Sequence, residues 1–261
     1  MPLAKYRPLF ERLYDKYHHR RYVSPDPLQF LYEYDDPADQ EVVGLLASCL
    51  AYGRVAQIIR NVRSVMDALG ESPARTVRDG LPKRLRRLRT FRHRFATSDH
   101  LASLLAGMRG VLRKSGSLGR CFQSGVSAGE VNYLPALSGF VGSLRRAGAA
   151  GAGHLLCDPA EGSACKRLNL YLRWMIRRDE IDPGCWRGLD ARRLIVPLDT
   201  HMFRIGRATG AVTRRSANGA AAAEFTAAFG RHWPDDPVRF DFSLTRPGIR
   251  GEGAMKDLLV L

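Results

Sequence analysis

Hydrophobic positions recur every three to four residues along most of the chain, which is the spacing of one face of an α-helix. The stretch 41–52 is apolar on nearly every side and predicts a buried central helix, whereas 54–69 has a single apolar face and predicts an amphipathic one. The same periodicity predicts helices over 3–17, 28–34, 98–112, 134–144, 164–178, 216–229 and 235–247. Strand-like alternation and repeats of 20–50 residues are both missing. The predicted fold is therefore all-α.

A short helix follows Pro197, which disfavours helical backbone at the residue before it. Asp199 or Thr200 can cap this helix by accepting backbone N–H groups that would otherwise be unpaired. Arg204 and Arg207, three positions apart, point to one side, while the apolar residues point inward. The pattern predicts a carboxylate at a helix N-terminus, next to a basic surface.

A second helix start carries a lysine. Ser163 is the predicted N-cap, which puts Lys166 at the third helical position, beside Arg167 and on one cationic stripe with Arg173. These positive charges, and the positive end of the helix, disfavour an ammonium group. A lysine in this setting can act as a neutral amine that attacks a sugar carbon and forms a Schiff base, with Asp199 supplying the negative charge.

The charge balance indicates a polyanionic partner. Forty-one Lys and Arg against 26 Asp and Glu give a net charge of +15 and a pI near 10.2. Phosphate contacts stabilise such complexes through counterion release, although a GC-rich genome that favours arginine codons is an alternative explanation. Residues 83–94 hold seven Lys and Arg in twelve positions, which fits either a phosphate-binding surface or a solvated face above packed leucines.

The five cysteines are scattered, odd in number and never spaced as C-x-x-C. This usage indicates reduced thiols in a cytoplasm and predicts neither disulfides nor a zinc or iron–sulfur site. The N-terminus does not resemble a signal peptide, and no apolar run approaches the ~18 residues of a membrane span. We therefore expect a cytoplasmic protein without a membrane segment, metal or other cofactor.

Spacing alone leaves plainer interpretations open. Lys166 could contact a phosphate or end a solvated helix, and Asp199 could be a helix cap only. His201 fits a surface or packing histidine better than a base. Glu41 and Glu224 are predicted to be helix-surface charges.

The segment V-P-L-D-T-H-M-F-R-I at 196–205 closely resembles the V-D-T-H-V-x-R-V segment of the helix-hairpin-helix DNA glycosylases. This superfamily includes endonuclease III, the adenine glycosylases and the 8-oxoguanine glycosylases. The resemblance implies that Asp199 is the catalytic carboxylate and that Lys166, within G-S-A-C-K at 162–166, is the nucleophile of a bifunctional enzyme. Over its whole length the chain also resembles an uncharacterised bacterial family that shares the G-S-x-C-K-R-L and P-L-D-T-H segments.

The chain departs from the superfamily in three ways. It lacks the L-P-G-x-G hairpin signature, which is altered or replaced by residues 158–162, and it lacks the four C-terminal cysteines of the iron–sulfur members. Thirty-three positions separate Lys166 from Asp199, more than in endonuclease III. The archaeal 8-oxoguanine glycosylases resemble the chain in this separation and also lack the cluster. An oxidised purine, preferably 8-oxoguanine, is therefore the expected substrate.

The resemblance also implies an architecture and a partner. We expect two helical lobes, 1–37 with 156–261 and 38–155, and a cleft that binds double-stranded DNA containing damaged bases. The expected protein is a monomeric glycosylase and AP lyase of the bacterial nucleoid. The alternatives are a non-catalytic DNA- or RNA-binding protein and a monofunctional glycosylase in which Asp199 activates water.

The remaining predicted site residues fall into two groups. Tyr52 or Arg54 would fill the gap that a flipped base leaves, at the end of the buried helix. The predicted DNA contacts are Tyr52, Arg54, Arg167, Arg173, Arg204 and Arg207. The aromatic side chains predicted to sandwich the base are drawn from Trp174, Trp186, Phe203 and Phe242.

Overall fold

The computed structural model describes residues 2–250, which form a mostly helical fold, so the all-α prediction is confirmed at that level. The α-helices are α1 (Arg7–Tyr17), α2 (Pro37–Cys49), α3 (Val55–Leu69), α4 (Pro73–Arg75), α5 (Leu81–Leu85), α6 (Ser98–Ser115), α7 (Leu118–Gln123), α8 (Leu134–Arg146), α9 (Lys166–Ile176), α10 (Thr200–Ala208), α11 (Gly219–Gly230) and α12 (Asp241–Arg250). A π-helical turn covers Thr76–Gly80. Short 3-10 segments cover Pro2–Tyr6, Arg20–Tyr22, Pro27–Glu33, Arg86–Leu88, Ala149–Leu155, Pro159–Glu161 and Ala191–Arg193.

Two short strands were not predicted. β1 (Arg92–His93) and β2 (Ala96–Thr97) pair antiparallel as a hairpin, at the end of the basic stretch 83–94. Strands of two residues are too short to show an alternating pattern. Leu88 and Phe91 of the same stretch are buried, as the leucine spacing indicated.

The last helix starts later than predicted. Residues 236–241 form successive turns with hydrogen bonds three residues apart, and α12 begins only at Asp241. Asp236, near the predicted start of this helix, accepts a hydrogen bond from Nε of Arg177 at 2.7 Å. Pro247, expected to end the helix, lies inside it.

The central helix is confirmed. Ten of the thirteen residues of α2 are buried, and the helix packs against α9 and against the 3-10 segment Pro27–Glu33. The hydroxyl of Tyr171 in α9 donates to the carbonyl of Glu41 in α2 at 3.1 Å. Because α9 begins with Lys166, this packing fixes the lysine relative to the middle of the core.

One hydrophobic core contains buried residues from all three chain segments assigned to the predicted lobes. Its N-terminal and C-terminal parts meet through aromatic rings: the centroid of Phe10 lies 5.6 Å from that of Phe229 and 5.8 Å from that of Phe240. The division into two lobes stays a prediction. None of the helices within residues 2–250 has the length and apolarity needed to cross a membrane.

The glycine- and alanine-rich segment 148–153, a candidate hinge by composition, is packed against α6. Ala149 and Ala152 are buried, and a Cβ atom on Gly107 of α6 would lie only 2.4 Å from the Cβ of Ala149. The small residues therefore allow the two segments to pack closely.

Glu41 is also corrected, because its side chain is buried rather than on the helix surface. Its carboxylate accepts hydrogen bonds from the backbone N–H groups of Leu118 (2.9 Å) and Gly119 (3.1 Å) and from Nε1 of Trp186 (2.8 Å). Burial raises the pKa of Glu41, and these donors oppose the rise. One carboxylate thus joins α2, the start of α7 and the segment before the 3-10 turn at Ala191.

We expect Glu41→Ala to lower the free energy of unfolding by about 3 kcal/mol, because three donors lose their acceptor and two of them belong to buried backbone. Glu224→Ala is the matched control: Glu224 accepts hydrogen bonds from Thr213 and lies 3.7 Å from Nε of Arg214, near the surface, and its loss should cost less than about 1 kcal/mol. Urea unfolding measures both. Equal losses would contradict the structural role of Glu41.

Candidate active site

A cavity of about 610 Å³ opens among the first turns of α3, α9 and α10. Lys166 and Asp199 both line it, so the structure brings the two predicted catalytic residues to one space although 33 positions separate them. The complete lining is Pro25, Asp26, Pro27, Ala51, Tyr52, Gly53, Val55, Ile58, Lys166, Arg167, Leu170, Leu198, Asp199, Thr200, His201, Ala217 and Ile249.

Asp199 is the N-cap of α10, one of the two caps predicted. Its Oδ1 accepts hydrogen bonds from the backbone N–H groups of His201 and Met202, both at 2.9 Å. Its Oδ2 makes no hydrogen bond to any residue within 2–250. The cap therefore fixes the carboxylate in place and leaves one oxygen available for chemistry.

Lys166 is the first residue of α9, not the third as predicted. Cys165 is the N-cap and has a left-handed backbone (φ 42°), while Ser163 Oγ accepts from the N–H of Cys165 at 3.2 Å, outside the helix. The half-buried Lys166 side chain forms neither a hydrogen bond nor an ion pair with the described part of the chain. The positive end of α9 disfavours a second positive charge at this position.

Arg173, predicted to contact DNA, is 2% exposed. Its Nε and Nη2 donate to Asp182 at 3.2 and 3.1 Å, and its Nη1 pairs with Asp241. The prediction of a phosphate contact is corrected, because all three guanidinium nitrogens contact buried carboxylates. The cationic stripe predicted from spacing is covered by segments that are distant in sequence.

Another carboxylate, Asp241, interacts with the two predicted catalytic residues. It was not predicted from the sequence. Burial raises its pKa to about 6 against the opposing charge of Arg173; the charge of Asp199 adds to the rise and that of Lys166 reduces it. Asp241 therefore lies within electrostatic reach of both residues. Periodicity gives no signal for it, since a carboxylate at a helix start usually indicates a cap.

Asp26 forms another part of the wall and is held by the C-terminal helix. Arg246 Nη2 donates to Asp26 Oδ2 at 2.6 Å, and the backbone N–H of Leu28 donates to Oδ1 at 3.0 Å. Burial alone would raise the pKa of Asp26, but Arg246 and the N–H donor lower it overall. The sequence gives no signal for this pair, because Arg246 lies 220 positions away along the chain.

Tyr52 and Arg167 line the cavity but are engaged within the protein. The Tyr52 hydroxyl donates to the carbonyl of His93 at 2.8 Å and lies 2.9 Å from Nε2 of His154. Arg167 Nη1 donates to the carbonyl of Cys49 at 2.7 Å, and its guanidinium lies 4.9 Å from the centroid of the Tyr52 ring. These contacts fix the rim of the cavity.

The other predicted cationic contacts are exposed. Arg54 lies at the start of α3, next to the cavity residue Gly53, and Arg204 lies on α10. Arg207 is exposed as well, although its Nη1 donates to carbonyls at Val212 and Thr213. None of the three lines the cavity.

The predicted base pocket is corrected. Trp174, Trp186 and Phe242 are 0%, 4% and 2% exposed, so they belong to the core and cannot sandwich a base. Phe203 is half-buried on α10 and does not line the cavity. The apolar wall is instead aliphatic, apart from Tyr52, and consists of Ala51, Val55, Ile58, Leu170, Leu198, Ala217 and Ile249.

Within residues 2–250 there is no group of three or more His, Cys, Asp or Glu side chains that could hold a metal ion. The cavity lining includes one amine, Lys166, two carboxylates, Asp26 and Asp199, and residues from the first turns of three helices.

One family, described as "Protein of unknown function (DUF2400)", matches residues 26–250, which is most of the chain and includes Lys166, Asp199 and Asp241. Neither a curated protein nor a solved structure matches the chain.

The raised pKa of Asp241 predicts a pH dependence of stability. Between its usual value near 3.8 and about 6, native Asp241 holds a proton that the unfolded chain has lost. The stability that this group contributes is therefore greatest below about pH 4 and falls as the pH rises to about 6. Denaturant unfolding at several pH values should show this fall in the difference between the native chain and Asp241→Asn. A difference that stays flat or rises across this range would contradict the shift.

Proposed function

The chain belongs to the family described as "Protein of unknown function (DUF2400)", and we propose that it is a DNA glycosylase with AP-lyase activity that removes an oxidised purine. The observation that carries this proposal is the placement of Lys166 and Asp199, from two helix N-termini, on one cavity. An amine and a carboxylate on either side of a sugar are the groups that the reaction requires. The preferred substrate, 8-oxoguanine, rests on the resemblance to the archaeal 8-oxoguanine glycosylases.

Lys166 Nζ is the proposed nucleophile. The nitrogen bonds to C1′ of a flipped nucleotide, while the C1′–N9 bond breaks and its electron pair leaves with the purine, which takes up a proton. Opening of the sugar ring and loss of an Nζ proton give a Schiff base. Removal of a C2′ proton then releases the 3′ phosphate by β-elimination. Lys166 is the first residue of α9 and has no ion-pair partner among the described residues, so its Nζ is available to the cavity.

Asp199 is the proposed charge stabiliser and proton carrier. Its carboxylate is held by two backbone N–H groups and keeps Oδ2 available, so it can face the cationic sugar without first moving. The buried carboxylate of Asp241 is paired with Arg173 and lies within electrostatic reach of both groups. Asp199 is therefore the carboxylate proposed to balance the positive charge that develops at C1′.

The shape and charge of the protein also fit the proposal. The cavity volume of about 610 Å³ lies within the usual range of ligand sites, which is roughly 300–1,000 Å³. Exposed Arg54, Arg204 and Arg207 are the proposed phosphate contacts, in keeping with the net charge of +15. We further propose that a monomer binds duplex DNA in a cleft between two helical lobes, in the cytoplasm and on the nucleoid.

Borohydride trapping tests the lyase step, because it reduces the Schiff base to a stable protein–DNA adduct. The test uses duplexes that carry 8-oxoguanine, uracil, hypoxanthine or an abasic site, and we expect an adduct with the 8-oxoguanine and abasic duplexes. Lys166→Gln should reduce the adduct at least 100-fold, whereas Lys114→Gln, an exposed lysine on α6, should leave it unchanged. Asp199→Asn, which keeps a good helix cap, should slow adduct formation by about 100-fold or more. Denaturing gels and intact-protein mass spectrometry measure the adduct.

The outcomes separate the alternatives. Tight duplex binding without base release or an adduct, and unaffected by Asp199→Asn, would indicate a non-catalytic binding protein. Base release without an adduct would indicate a monofunctional glycosylase, in which Asp199 activates water and Lys166 holds a phosphate. An undiminished adduct in Lys166→Gln would overturn the role of this lysine.

A further inference from the structure

An aromatic side chain stands out on the surface near the cavity. Among residues 2–250, three large hydrophobic side chains are exposed: Phe95 (71%), Val131 (88%) and Ile249 (38%). Phe95 is the aromatic one, and it lies in the two-residue turn between β1 and β2. Single exposed hydrophobic side chains are common on protein surfaces, so the meaning of this ring depends on what surrounds it.

The hairpin holds this ring on a rigid base. Beneath the tip, His93 is completely buried: Asn61 Nδ2 donates to its Nδ1 at 2.8 Å, and its Nε2 donates to the carbonyl of Tyr52 at 3.0 Å. On the other strand Ala96 is buried and Thr97 caps α6. Arg94, in the turn, adopts a left-handed backbone (φ 53°) that is strained for a residue other than glycine.

The tip lies directly beside the cavity. The Tyr52 hydroxyl binds the carbonyl of His93, and the side chain of Arg94 lies against Gly53; Tyr52 and Gly53 both line the cavity. Gly53 is required at this contact, because its φ is 98° and a Cβ atom would lie 2.7 Å from Cδ of Arg94. The hairpin and the rim of the cavity therefore form one connected surface.

The surroundings of Phe95 are cationic and aromatic. The guanidinium of Arg94 lies 5.4 Å from the centroid of the Phe95 ring, and the exposed His154 ring lies 6.3 Å away, edge to face. Arg54 is exposed one residue beyond Gly53. An exposed aromatic ring with positive charges around it fits a ligand with stacked rings and phosphates, such as a nucleic acid.

We propose that Phe95 is the positioning residue that enters the base stack of the DNA when a nucleotide turns out into the cavity, an inference that rests on the proposed function. Tyr52, expected to fill the gap from the sequence, is held by hydrogen bonds to His93 and His154. Phe95 has no such constraint: its ring is exposed, and the hairpin base beneath it is fixed. Arg94 would contact the phosphate beside the gap.

The wedge offsets the cost of base flipping. A nucleotide that leaves the duplex exposes the faces of its neighbours to water, and an aromatic ring in the gap covers them again. Removing the ring should weaken binding wherever a base is missing and should matter little on an intact duplex. This contrast separates insertion from general attraction to phosphate, which both duplexes share.

The experiment measures binding of the full chain to a duplex with one tetrahydrofuran abasic analogue and to the same duplex undamaged. The analogue has no C1′ hydroxyl and forms no Schiff base, so the result does not depend on Lys166 chemistry. We expect Phe95→Ala to lose about 10- to 100-fold in affinity for the first duplex, about 1.4–2.8 kcal/mol, and less than about threefold for the second. Val131→Ala, which removes another exposed hydrophobic side chain, should bind both as the native chain does.

Phe95→Trp gives a second readout. The native tryptophans Trp174, Trp186 and Trp233 are buried, so a change in emission on binding reports the introduced indole. Its fluorescence should be quenched by the abasic duplex, through stacking, and far less by the undamaged one. Thermal unfolding of each variant checks that the exposed substitution leaves the fold intact.

Each outcome is decisive. Affinity of Phe95→Ala equal to that of the native chain, an equal loss on both duplexes, or a native chain that does not prefer the abasic duplex would overturn the wedge. If such a result comes with normal borohydride trapping, only the wedge fails. If Phe95→Ala loses its preference as expected but the native chain never traps, the wedge stands and the lyase proposal fails.

Discussion

A buried guanidinium, that of Arg173, holds together the helices beside the cavity. Arg173, in the middle of α9, binds Asp182 and Asp241, and all three side chains are almost completely excluded from solvent. Removing charges from water is costly, and the loss of Arg173 would leave the buried carboxylate of Asp241 without its ion-pair partner. Because Asp241 is the first residue of α12, this ion pair sets the start of that helix against α9. The ion pair thereby fixes the relative positions of α9, which begins with Lys166, and α12, which contributes Ile249 to the cavity wall.

The two predicted catalytic groups show how folding and chemistry share the same atoms. Asp199 satisfies the first turn of α10 with one oxygen and leaves the other available, so the helix itself orients the carboxylate. Lys166 has the opposite arrangement, since its helix starts from a left-handed Cys165 and has no side-chain cap. One helix end is neutralised by its own cap, and the other retains its positive potential beside the amine.

Periodicity predicted the helices well, because an apolar stripe is a local property of the chain; α2 and α3 and the cap at Asp199 all follow from it. It did not predict the burial of Glu41 or Arg173. Both are polar residues on helices, and their partners lie 9 to 145 positions away. Spacing gives the face on which a residue lies, but not which distant segment covers that face. The catalytic proposal itself came from resemblance, since a lysine and an aspartate at helix starts are common without any chemistry.

The wall that Asp26 and Arg246 build together has a consequence for the order of events during synthesis. The two residues are 220 positions apart, and Asp241 lies only five before Arg246. Lys166 and Asp199 precede Asp241 and Arg246 in the chain and are therefore synthesised first. Until Asp241 and Arg246 are in place, Asp26 lacks its ion-pair partner and the buried carboxylate of Asp241 is missing. The surroundings of Lys166 and Asp199 are therefore complete only when this late segment has docked against Asp26 and Arg173.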